Sequence, residues 1–342
     1  MSTAKGIRVV GYYDCPGGGQ VVVRKNVAYV GHVKPPNGTS IIDIADPANP
    51  RELAHITVPE GTLSHKVRVE NDVMLVNREV FPIGRVDPNF RGGLKVFDVS
   101  KPSKPKHITT WAARGMHRFT FDGRYVYGSP EFEGYLGNVV AIIDFKDPAK
   151  PQEVGRWWMP GQWIAGGEKP SWEGTAHRCH HPIRVGNRLY TSYWHGGFVI
   201  LGIDDMTKPK FISGLDWSPP FPWPTHTALP VPFPVRGRRI MLVADEDVVR
   251  LEMSAPAFLW IVDITDEMRP WTDRRRTTIP ACISSARRFA ARKSRWLGSR
   301  MGCASSISRT RTRRVKLPPS CRTFLPGPGE CRAMTCASTT AT

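Results

Sequence analysis

Ten histidines are spread along the chain, and four of them fall at one recurring place. His65, His117, His181 and His226 each open a strand-like segment, often just after a small or polar residue, as in Ser64-His65, His180-His181 and Thr225-His226. Imidazoles brought to one axis from four such segments make a first-row metal site, suited to Fe, Cu or Zn. Glu79, Glu131 and Glu246 recur at the end of the strand that follows. A carboxylate there can accept the far N–H of a ligand histidine. The competing reading is a polar channel mouth, in which histidine and glutamate satisfy water. His177, His180 and His195 lie close by in sequence and can substitute in the set. Cys179 reads either as a soft ligand or redox thiol, or as a small buried side chain.

These residues need elements that return them to one place, and the chain has a repeat that does so. Ile41-Ile-Asp-Ile-Ala-Asp-Pro-Ala-Asn-Pro50 recurs as Val96-Phe-Asp-Val-Ser-Lys-Pro-Ser-Lys-Pro105 and Ile142-Ile-Asp-Phe-Lys-Asp-Pro-Ala-Lys-Pro151. Looser copies run from Ile200 to Pro209 and from Ile261 to Pro270. A β-branched run closed by Asp-Pro-x-x-Pro is a buried strand ending in a turn. The prolines cannot continue a ladder, so the chain reverses there. A two-strand hairpin precedes each copy, with tight-turn residues Glu-Asn-Asp after Val69, Asp-Gly-Arg after Phe121 and Gly-Asn-Arg after Val185. A fourth strand follows each turn, as at Glu52–Val58 and Glu153–Trp157. Four strands per repeat of roughly fifty residues is the content of one propeller blade.

The repeated strand resembles that of the LVIVD-repeat β-propeller family, over roughly residues 8–272. The resemblance implies a closed all-β propeller and no particular activity. A more distant similarity, resting on histidine placement, is to the selenium-binding proteins, propellers some of which act as copper-dependent thiol oxidases. Metal-dependent oxidoreductase chemistry is therefore one expectation. A non-enzymatic scaffold that holds a protein or small ligand is the other.

Composition separates the last part of the chain from the rest. Residues 273–342 hold 14 Arg and 2 Lys against Asp273 and Glu330, so +14 of the net +18 lies there and +4 over residues 1–272. Five of the seven cysteines lie there too, with no paired spacing that suggests zinc. The coding frame supplies a reason. Read in a shifted frame, Ser305–Leu317 can encode Val-Asp-x-Glu-Asn-Pro-Tyr-Ala-Pro-Arg-Glu-Val, which is the repeat again. Ala333–Thr340 can likewise encode a hairpin sequence, Asn-Asp-Val-Arg-Val-Asp-Asp. The expected organisation is a propeller over 1–272 and an irregular, frameshift-derived tail over 273–342. A six- or seven-bladed parent would then be left incomplete, with open edges.

Two aromatic, proline-stiffened stretches, Trp157–His177 and Trp217–Trp223, read either as a lid over a small-molecule substrate or as packing between blades. No Walker A loop and no nucleophile elbow occurs. Basic residues of the first 272 are dispersed, which argues against nucleic acid. No apolar run reaches the ~20 residues of a membrane helix, and no signal-peptide core opens the chain. The expectation is a cytoplasmic monomer with no membrane partner.

Overall fold

The computed structural model describes residues 6–80, 90–218, 221–248, 257–272, 279–280 and 283–284. It is an all-β propeller, with five blades among the described residues. Blade 1 runs Gly18–Arg24, Val27–His32, Asn37–Asp43 and Arg51–Thr57. Blade 2 runs Val67–Glu70, with Thr62–Leu63 as a separate first piece, then Val73–Val80, Gly92–Asp98 and Lys106–Ala113. Blade 3 runs Gly115–Phe121, Tyr125–Glu131, Val140–Asp144 and Gln152–Trp157. Blade 4 runs His177–Val185, Arg188–Trp194, Phe198–Gly202 and Lys210–Leu215. Blade 5 runs Thr225–Pro230, Ile240–Asp247, Phe258–Asp263 and Ile279–Pro280. Strands are antiparallel and in sequence order within each blade. The first strand of each blade packs against the first strand of the next, which makes these the inner strands.

The third strand of each blade reads as a continuous apolar run because both of its faces are covered. Ile143 packs toward blade 2, with Leu94, Val96 and Phe119, while Ile142 packs toward blade 4, with Leu189, Val199 and Leu201. Leu201 and Ile200 divide in the same way between blades 3 and 5. Four hydrophobic clusters result, each joining two consecutive blades. The repeated aspartate ends this strand by turning the chain: Asp43, Asp98, Asp144 and Asp263 each accept the backbone N–H two residues on, at 2.8–2.9 Å. Such Asx turns compete with continued extension. The hairpin reading is met where Asn71 and Asp72 take φ of 50° and 60°, the left-handed pair that a tight primed turn requires.

Beyond residue 272, Ile279–Pro280 pairs with Phe258–Asp263, and Ile283–Ser284 pairs with Glu246–Asp247. The rest of residues 273–342, on which the frameshift expectation rests, lies outside the described residues. No helix among the described residues is long and apolar enough to cross a membrane.

Candidate metal centre

The inner strands share a defect. Their ladder to the second strand slips between Met116 and Phe119 in blade 3, between His177 and His181 in blade 4, and between Thr225 and Thr227 in blade 5. In blade 2 it breaks between Leu63 and Val67. A bulge of this kind aims neighbouring residues to one side where a regular strand would alternate them. The doublets His65-Lys66, His117-Arg118, His180-His181 and His226-Thr227 sit at these slips. In three blades a side chain of the second strand captures the backbone N–H of the doublet's second member. Asn77 Oδ1 accepts from Lys66, Ser129 Oγ from Arg118 and Ser192 Oγ from His181, at 2.8–3.1 Å. The same three side chains reach the next blade. Asn77 donates to the Met116 carbonyl, Ser129 to that of His180 and Ser192 to that of His226. Each blade thereby positions the histidine of its successor. Ser129→Ala should cost about 1–3 kcal/mol, because it leaves the Arg118 N–H without its acceptor and the buried His180 carbonyl without its donor. Denaturant unfolding would check this.

The first members of the doublets form a run of rings. Centroids lie 6.0 Å apart from His65 to His117, 4.8 Å from His117 to His180 and 4.6 Å from His180 to His226. Of the four histidines expected at the axis, His65, His117 and His226 are in this run. Blade 4 contributes His180, while His181 takes the position of Lys66 and Arg118 in the neighbouring doublets. His177 stacks on Trp172 at 4.4 Å and His195 accepts the Ala176 N–H at 3.1 Å. Cys179 is buried in the cluster between blades 3 and 4, and burial raises its pKa well above the ordinary thiol value, as suits an inert packing residue.

The three glutamates behave differently. Glu79 accepts the Nδ1–H of His117 at 2.9 Å. Glu246 stands among the rings, with Oε2 3.9 Å from His180 Nε2. Glu131 flanks Gly115, and its charge acts on Arg178. Blade 4 has Trp194 in place of the glutamate, with its ring 5.0 Å from His180.

Electrostatics keep the rings neutral. Burial holds the pKa values of His65, His180 and His226 well below the ordinary histidine value. His117 is lowered by burial too, with Glu79 pulling the other way. A neutral imidazole has one protonated nitrogen and one lone pair. Glu79 fixes the His117 proton on Nδ1, and the His226 carbonyl, 2.7 Å from His180 Nδ1, fixes that of His180. Both Nε2 atoms are then lone-pair sites, and they face each other at 3.0 Å. Two lone pairs at that distance repel unless a cation lies between them. Nitrogens 3.0 Å apart are close enough that both could ligate one ion at about 2.1 Å. Ligand atoms of His180, His226 and Glu246 also lie within 4.8 Å of one another. The Nδ1 of His65 is buried without a hydrogen-bond partner. The donors present therefore fit a metal ion.

The aromatic stretches divide. Trp217 and Trp223 are buried, with Trp217 stacked 4.7 Å from Trp260, and these pack between strands. Trp163 is exposed beside Tyr135 and Trp158.

One family model matches part of the chain. The model of the LVIVD repeat matches residues 18–57, which are blade 1. No curated protein sequence matches the chain. Among solved structures, a hypothetical selenium-binding protein from Sulfolobus tokodaii is similar at 10% identity and a TM-score of 0.40, covering 78% of this chain and 77% of its own. A Saccharomyces cerevisiae assembly of Dbp5 with Nup159 and Gle1 gives 8% identity and 0.42, over 80% and 70%. The computationally designed Ika8 protein gives 9% and 0.39, over 74% of each chain.

Proposed function

The chain carries an LVIVD repeat in a β-propeller, and on that footing we propose that it binds one transition-metal ion where its inner strands converge. The observation that carries this reading is the pair of Nε2 lone pairs of His117 and His180, 3.0 Å apart and each fixed by a partner on its own Nδ1. His180, His226 and Glu246 would hold the ion, with His117 opposite His180 as a further donor, His65 beside them and Glu79 orienting His117. His226 is at present hydrogen-bonded through Nε2 to Arg118, and Thr227 accepts from its Nδ1. A mixed imidazole and carboxylate set suits Fe, Cu or Zn. Oxidoreductase chemistry needs Fe or Cu there, since zinc supplies Lewis acidity without redox change.

Equilibrium dialysis of the full chain against Zn²⁺, Cu²⁺ and Fe²⁺ in turn, followed by elemental analysis, tests the proposal. The expected result is one ion per chain, retained through buffer exchange. No retained ion at any loading would favour the alternative, a propeller that holds a protein or small ligand without a metal.

A further inference from the structure

The second members of the doublets form their own tier, and its charges do not balance. Lys66 is buried and makes no side-chain hydrogen bond or ion pair among the described residues. Arg118 donates from Nη2 to His226, but its Nε is buried without a partner. His181 is buried with neither ring nitrogen satisfied. Arg68, two residues along from Lys66, spends Nη1 on the Val67 carbonyl at 3.0 Å. Lys66 feels Arg118 and Arg68 as like charges and Glu79 and Glu246 as opposite ones. With Arg178, which feels Glu79, Glu131 and Glu246, four cations thus face three carboxylates, and Glu79 is already bound to His117. Burying a charge without a counter-charge is expensive, and several donors left unpaired together make it more so.

We infer that this tier is an anion-binding site, and that its occupant is the carboxylate of a small monoanionic ligand. The donors on the page are those a carboxylate takes: an ammonium, a guanidinium with a free Nε–H and a neutral imidazole able to donate. One negative charge closes the imbalance, and a phosphate dianion would overshoot it beside Glu79 and Glu246. The site is one residue along the chain from the run of histidines. The anion site itself requires no metal.

The test uses the full chain after dialysis against EDTA, so that its outcome is separate from that of metal loading. Acetate is titrated against chloride at matched ionic strength, with melting temperature and calorimetric heat as readouts. Acetate should give saturable one-site binding, and ligand that binds only the folded state raises the melting temperature. Lys66→Met should weaken acetate at least tenfold, and it should melt higher than the parent in the absence of acetate, because an uncompensated charge has gone. Arg118→Met should also weaken acetate at least tenfold. An acetate response no greater than that of chloride, or one kept in full by Lys66→Met, would overturn the proposal. Inorganic phosphate saturating below the concentration that acetate needs would overturn the carboxylate assignment.

Discussion

His180→Ala should reduce metal affinity at least 100-fold, a loss of about 2.7 kcal/mol or more, while His181→Ala leaves it within a few-fold. The two residues are adjacent and both buried, so exposure does not distinguish them. Their hydrogen bonds do. His180 is held by the His226 carbonyl on Nδ1 and meets His117 on Nε2. His181 has no partner on either nitrogen. Losing His180 removes one of the two opposed lone pairs and the centre of the run of rings. Glu79→Gln should fall between the two variants, at about 10- to 100-fold, as expected when the orienting partner of a ligand is weakened. Competition for Zn²⁺ against a chromophoric chelator would measure all three. Equal losses for His180→Ala and His181→Ala would contradict the assignment.

The largest expected effect on stability lies in blade 5. Asp245 is fully buried, and burial raises its pKa to about 7, while the Trp260 Nε1–H at 2.7 Å pulls the other way. In the unfolded chain an aspartate titrates near 3.9. Between about pH 4 and pH 7 the folded state keeps this proton and the unfolded state has lost it. Its contribution to stability is therefore complete below about pH 4, falls as pH rises toward 7, and is flat above that. The full difference is on the order of 4 kcal/mol. Asp245→Asn keeps an acceptor for Trp260 and cannot ionise. It should match the parent near pH 4 and exceed it by up to about 4 kcal/mol at pH 8. Denaturant unfolding across that range would show the two curves diverging. Parallel curves would mean that Asp245 does not carry the proton.

Much of the fold was readable because its signals are local. The aspartate that ends each repeated strand turns the chain, and Asp43, Asp98, Asp144 and Asp263 do so through the same backbone contact. The apolar strand before it reads as buried on both faces, as Ile142 and Ile143 are. The histidine positions were readable only to within a doublet. Regular alternation allows one of His180 and His181 to face inward, and the bulge that turns both is a property of the pairing. A signal was nevertheless present. The small polar residues Asn77, Ser129 and Ser192 lie at matching places in the second strands, and each caps the second member of its doublet. Aligning on them puts His180 in register with His117. The same alignment exposes the Lys66, Arg118 and His181 tier, which a search for histidines passes over.

Diffraction from zinc-soaked crystals, with anomalous data on either side of the zinc absorption edge, tests the central claim most directly. The account predicts one strong anomalous peak per chain between the Nε2 atoms of His117 and His180, about 2.1 Å from each. A peak bound elsewhere, or none at this position with zinc present at saturating concentration, would contradict it.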